Sequence, residues 1–134
     1  MNSRPLSAFA RTVLRVADAI PPGRVMTYGD VAAAAGTRAA QAVGVVMARH
    51  GYTVAWWRVV PATGELISGH AAESLGLYHE EGTPLLRRDN RWVIDLRSAL
   101  WTPPRALAER LREGTPEPDT IGHAPAEEAS ADGA

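Results

Sequence analysis

The stretch TYGDVAAAAGTRAAQAVGVVMARHG, residues 27–51, decides the fold. The hydroxyl of Thr27 can cap a helix whose third residue, Asp30, stands where a capping box needs an acceptor for the returning bond. That spacing predicts a helix over 28–35, ended by Gly36. Thr37 is then placed to cap a second helix from Arg38 to His50, with Gly51 as its stop. Two short helices joined by a tight Gly-containing turn are the pattern of a helix-turn-helix. The second helix is bare on one side, because Ala39, Ala40, Ala42 and Gly44 bring almost no side chain. Its backbone can therefore approach another surface closely, whether a packed core or a ligand.

Upstream, Ser3 or Pro5 can open a first helix, since Phe9, Val13, Val16 and Ile20 recur at helical spacing before Pro21-Pro22-Gly23 ends it. Arg24-Val25-Met26 reads as a short extended piece. Downstream, Val54, Trp56, Val59 and Val60 are strand formers, followed by a turn over 61–64 and a short return strand over 65–67. A loop over 68–70 leads into a helix over 71–81 closed by Gly82; a strand is expected over 91–96, and a last helix over 105–112. The expected fold class is α+β, mostly helical with short strands, in a winged helix-turn-helix-like arrangement. At 134 residues the chain holds one domain, residues 1–112, plus an extension over 113–134.

Charge divides the same way. Residues 1–112 hold all fourteen arginines against nine acids, a net +5, while 113–134 hold six acids and no Lys or Arg, a net −6. The extension is rich in Pro, Glu, Ala and Gly, with Ile121 its only large apolar residue, so it is expected to be a disordered acidic tail. It is either a solubilising end or a segment that folds back on the basic body and competes with polyanions. Between Asp30 and Glu65 there is no acid, yet Arg38, Arg49 and Arg58 are present. Such a one-sided stretch fits a polyanion, and equally a sparsely charged buried segment.

The chain has no cysteine, so disulfides, thiolate nucleophiles and Cys-based metal sites are excluded. Its four histidines, His50, His70, His79 and His123, have no paired ligand spacing, and no metal or cofactor is expected. No apolar run approaches a membrane span and no signal peptide is legible; the expectation is a cytoplasmic protein.

Three segments in order, GRVMTYGDVAAAAG (23–36), QAVGVVM (41–47) and AWWRVV (55–60), resemble the C-terminal domain of O6-alkylguanine-DNA alkyltransferases. In that family a Gly-x-Val-x-Thr-Tyr-Gly segment, a Val-Gly helix and a Pro-Cys-His-Arg-Val strand occur at comparable spacings. The likeness covers roughly residues 6–102. It departs at the decisive place: Trp56 stands where the alkyl-accepting Cys would be, and Trp57 where its His partner would be. Glu81 matches the glutamate that ends the family's relay, which here has no start. An indole is neither thiolate nor base, so no catalytic residue is expected.

The chain therefore resembles the alkyltransferase-like branch, understood to bind O6-alkylguanine in duplex DNA without repairing it and to flag it for nucleotide excision repair. The resemblance implies base flipping by a helix that enters the minor groove, a groove only ~6 Å wide that a bare helix can approach. It assigns Thr27, Tyr28, Arg38, Ala39, Ala40, Gln41, Ala42 and Gly44 to DNA contact, Tyr28 pressing on the phosphate of the flipped nucleotide. It assigns Trp56, Tyr28, Arg58, Ser68 and Gly69 to the lesion pocket, with Trp56 as the stacking wall, Arg58 mainly structural, and the loop from Ser68 to Glu73 closing over. Gln41 replaces the usual finger arginine, and Arg38, one helical turn earlier, is a candidate to compensate. Trp92 and Trp101 are expected to be structural. Neighbours on a strand face opposite ways, so Trp57 is left to packing or to a partial rim of the pocket. The expected partners are damaged duplex DNA and nucleotide excision repair proteins, and the expected state is a monomer. The alternative is a helix-turn-helix regulator that reads sequence and ignores damage.

Overall fold

The computed structural model describes residues 6–114. Six helices and four short strands follow in the order α1 (Ala8–Ala19), β1 (Met26–Thr27), α2 (Tyr28–Ala34), α3 (Ala40–His50), β2 (Val59–Val60), α4 (Ala71–Glu81), β3 (Leu85–Arg88), β4 (Arg91–Ile94), α5 (Leu96–Ala99) and α6 (Arg105–Leu111). The architecture is α+β and mostly helical, as the sequence predicts. Ser7 caps α1, accepting from the amide of Ala10 at 3.0 Å; the earlier starts at Ser3 and Pro5 lie outside the described residues. The acidic extension beyond Gly114, with its expected disorder, lies outside them as well.

The capping box at α2 is formed on both sides. The Thr27 hydroxyl accepts from the Asp30 amide at 3.0 Å, and the Asp30 carboxylate accepts from the Thr27 amide at 3.2 Å. After Gly36, which turns the chain at φ +88°, the helix-turn-helix departs from expectation in its second start. The Thr37 hydroxyl accepts from the Ala39 amide at 3.2 Å, so residues 37–39 form their own small turn. Helix α3 consequently begins at Ala40 behind an uncapped Ala39. Arg38 and Ala39 precede the helix and do not belong to it.

Two hydrophobic clusters share the parallel pair β1–β2, in which Met26 faces Val59. Strand alternation explains the division. Met26 and Val59 point into a cluster with Val13, Val16, Ile20, Val31 and Val43 from the three-helix unit, while their neighbours Val25 and Val60 point into a second with Tyr78, Ile94 and Ala99. The helix-turn-helix and the C-terminal half are thus fixed to opposite sides of one two-residue ladder.

Gly51 stands at the end of α3 as expected, though with helical φ and ψ, and it opens a 3-10 turn over Gly51–Thr53. Its lack of a side chain serves close approach, because a Cβ there would lie 3.1 Å from Met47 Cε and 3.6 Å from Trp56 Cβ. Three further expectations are corrected. The strand expected from Val54 shrinks to Val59–Val60, since Trp56–Arg58 form a second 3-10 turn. The return strand over 65–67 is a single bridge from Glu65 to Val93. The strand at 91–96 ends at Ile94, where Asp95 leads into α5, and it pairs with β3, which the sequence reading missed. Asp89 and Asn90 both take positive φ, 52° and 68°, as a two-residue hairpin turn requires.

Candidate lesion-binding cleft

Helix α2 starts directly at Tyr28, so the capping box that fixes Thr27 also fixes the direction of the tyrosine ring. Across from it runs one edge of α3, where Gly44, Met47 and Ala48 share a face by helical spacing. The 3-10 turns then bring Tyr52 and Trp56 to the same side, and the loop after β2 adds Ile67 and His70. Together these residues line a cleft of 390 Å³, within the range of small-molecule sites, about 300–1,000 Å³. Its wall is aromatic on several sides. The Trp56 ring lies 5.5 Å from His70, tilted by 57°, and meets Trp57 edge-on at 5.6 Å and 88°. Burial pushes the Tyr28 hydroxyl above its ordinary pKa, so it stays neutral and able to donate.

Trp57 turns the other way, into the second hydrophobic cluster. The expectation that one tryptophan faces a cavity and the other packs holds, though a 3-10 turn and not a strand separates them. The indole of Trp57 donates to Glu81 Oε2 at 3.0 Å, and its carbonyl accepts from the Tyr78 hydroxyl at 2.6 Å. Glu81 is saturated. Its carboxylate also accepts from Arg58 Nε at 3.1 Å, Arg58 Nη2 at 2.6 Å and the Gly23 amide at 3.0 Å, while Arg58 Nη1 donates to the Ile20 carbonyl at 2.9 Å. Burial opposes the charged carboxylate, but the bonds from Arg58, Gly23 and Trp57 outweigh it and hold Glu81 below its ordinary pKa. A carboxylate so held is a structural anchor with no proton to relay.

The sign of the pH effect follows. A depressed pKa means that Glu81 stabilises the fold above its unfolded value, about 4.3, and that this contribution is lost as pH falls through the folded value. Thermal melts from pH 6 down to pH 3 are expected to show an acid limb that Glu81→Gln flattens. Parallel limbs in the two proteins would contradict the assignment.

Several assigned residues fall elsewhere. Arg58 does not line the cleft; its guanidinium is consumed by Glu81 and Ile20, with side-chain exposures of 15% and 12% for the Arg58–Glu81 pair. Ser68 and Gly69 sit between the two lining residues Ile67 and His70 without lining the cleft, and Ser68 borders a separate depression of 550 Å³ with Leu75 and Trp92. Among the residues assigned to DNA contact, Gln41 is exposed on the first turn of α3, Ala40 and Ala42 are half-buried, and Arg38 and Ala39 are exposed ahead of the helix. Gly44 belongs to the cleft wall, with nothing within 4 Å of where its Cβ would be. Met47, Ala48, Tyr52 and Ile67 were missed, while His70 lies in the loop from Ser68 to Glu73 expected to close over the pocket. The first two were legible as the helical neighbours of Gly44. Trp101 packs on the first cluster; Trp92 is half-buried, between His79 at 6.0 Å and the Arg87 guanidinium at 5.0 Å. Among the described residues no His, Asp or Glu grouping could hold a metal, and no helix is long and apolar enough to cross a membrane.

Comparison with known proteins places this geometry in a family. The family model described as 6-O-methylguanine DNA methyltransferase, DNA binding domain, matches residues 8–83. A protein named DNA base-flipping protein from Escherichia coli K12 is 47% identical over 62 residues, 44% of this chain and 48% of the relative; that of Shigella flexneri matches equally. The chain thus spans about half the length of the curated relatives it matches. Among solved structures, S. pombe Atl1 in complex with damaged DNA containing O6-carboxymethylguanine superposes with a TM-score of 0.62 at 27% identity, covering 71% of this chain and 95% of that one. S. pombe ATL in complex with DNA gives 0.61 at 26% identity over the same shares. With the family's DNA-binding domain over most of its described length and no cysteine anywhere in its sequence, the chain belongs to the 6-O-methylguanine DNA methyltransferase DNA-binding family as an alkyltransferase-like protein.

Proposed function

We propose that the protein recognises O6-alkylguanine in duplex DNA by extruding the damaged base into the cleft walled by Trp56, and holds it there without chemistry. The observation that carries this reading is an aromatic cleft beside a helix-turn-helix in a chain with no thiol. An O6-alkylated guanine pairs poorly and costs less to flip, and an indole wall stabilises the flipped purine by roughly 1–3 kcal/mol. Alkyl transfer would need a thiolate and a base to generate it. Here the two positions are indoles and the carboxylate behind them is fully bonded. With the base held and not repaired, the complex persists as a mark for nucleotide excision repair proteins, the partners we assign to a cytoplasmic monomer. Duplex labelled on the alkyl group tests the absence of chemistry. Bound DNA with no label on the protein is the expected result; covalent label would overturn this reading.

Gln41 takes the place of the finger in this reading, filling the stack through a neutral amide. Gln41→Arg should raise affinity for both damaged and undamaged duplex, and steepen the fall of log affinity with log salt by about 0.9 for the added cation. An unchanged slope would remove Gln41 from the interface.

A further inference from the structure

The described chain ends beside the recognition helix. Arg15 on α1 donates to the carbonyls of Leu111 and Glu113 at 2.9 and 3.1 Å, fixing the end of α6. At that end a Cβ on Gly36 would lie 3.2 Å from Cδ of Arg112. Gly36 is the turn between α2 and α3, so the last described turn of the chain lies beside the segment that leads through Thr37 and Arg38 into α3. The twenty residues 115–134 that follow carry five acids, Glu117, Asp119, Glu127, Glu128 and Asp132, and no lysine or arginine.

The neighbouring face has the opposite charge. Between Asp30 and Glu65 the chain has no acid. Of the three arginines there, Arg58 is neutralised by Glu81. Arg38 and Arg49, at the two ends of α3, are exposed and form no ion pair among the described residues. Between and just beyond them Val45 is 45% exposed and Tyr52 79% exposed, an apolar complement for Ile121. Reach does not limit the contact. Eleven helical residues span roughly 16 Å, whereas twenty extended ones reach roughly 65 Å.

We propose that the acidic segment 115–134 docks in cis across the exposed face of α3, bridging Arg38 and Arg49, and competes with duplex for that face. The proposal rests on reading α3 as the DNA-contacting helix. A segment that must leave before any duplex docks lowers the affinities for damaged and undamaged DNA by the same factor. Their ratio is unchanged, but weak phosphate-driven binding to undamaged DNA falls below occupancy first, while a flipped lesion in the cleft adds stabilisation that keeps damaged DNA bound.

The test keeps the full chain and neutralises the segment by Glu117→Gln, Asp119→Asn, Glu127→Gln, Glu128→Gln and Asp132→Asn together. At about 50 mM salt the neutralised protein should bind undamaged duplex roughly tenfold more tightly than the parent, and the gap should close toward about 200 mM. Equal affinities at low salt would overturn the proposal and leave the proposed function standing. Amide spectra of the DNA-free proteins supply a reading independent of DNA binding. The amides of Arg38, Gln41, Val45 and Arg49 should shift between parent and neutralised forms and should not change on dilution. Absent shifts, or shifts that vanish on dilution and so report a second copy, would overturn docking in cis. Failure of both proteins to bind any duplex, with the shifts present, would instead overturn the proposed function.

Discussion

Glu81→Ala should lower the stability of the fold by about 3–5 kcal/mol, because it strands a largely buried guanidinium. The loss is not of one ion pair. Glu81 joins the chain before β1 through the Gly23 amide, the turn before β2 through Arg58 and Trp57, and α4 through its own backbone. Removing the carboxylate leaves Arg58 with the Ile20 carbonyl as its one hydrogen-bond acceptor beside the Trp57 ring 5.3 Å away, and leaves two further N–H groups without their acceptor. Urea denaturation should register the change as a lower midpoint, and a thermal melt as a fall of more than about 10 °C. Glu81→Gln keeps an acceptor but not the charge, and should fall between. A loss under about 1 kcal/mol for the alanine variant would mean that water supports Arg58 as well as Glu81 does.

Trp56→Ala should act in the opposite way, leaving stability nearly intact and removing discrimination. Trp56 is half-buried and belongs to neither hydrophobic cluster, so truncation opens the cleft without emptying the core. What disappears is the stacking face, and with it roughly 1–3 kcal/mol of preference for the flipped base, on the order of tenfold to a hundredfold in the ratio of damaged to undamaged affinity. Trp56→Phe should retain part of that ratio. Trp56→Cys should lose it without gaining alkyl transfer, since position 57 offers an indole and Glu81 is already occupied by it. A truncated protein that still prefers the lesion would move recognition elsewhere in the cleft.

How much of this was legible in the sequence depended on the range of the interactions involved. The capping box at Thr27–Asp30 and the end of α4 at Gly82 are local, and both stand where the residues placed them. The start of α3 failed because the Thr37 hydroxyl chose a closer amide, that of Ala39, over a helix-capping one. The segment from Val54 to Arg58 failed for a non-local reason. Its β-branched and aromatic residues favour a strand, but a partner exists only opposite Val59 and Val60, and Trp57 is held by Glu81 from α4. Of the cleft, Tyr28 and Trp56 were legible through the resemblance. His70 was legible only as part of the loop set over the pocket, and Tyr52 was not, since neither helical nor strand periodicity brings a residue of the turn after α3 to that opening. Arg58 was misplaced because its spacing in the chain says nothing of which side of a 3-10 turn it takes.

The most direct measurement is intrinsic tryptophan fluorescence during titration with a duplex carrying one O6-methylguanine, set against the same duplex with guanine. Trp56 walls the cleft, so insertion of the base should change the emission with the damaged duplex far more than with the intact one, and Trp56→Ala should lose most of that difference. Equal affinity for both duplexes, with the same emission change, would contradict lesion recognition and leave a DNA-binding domain indifferent to damage.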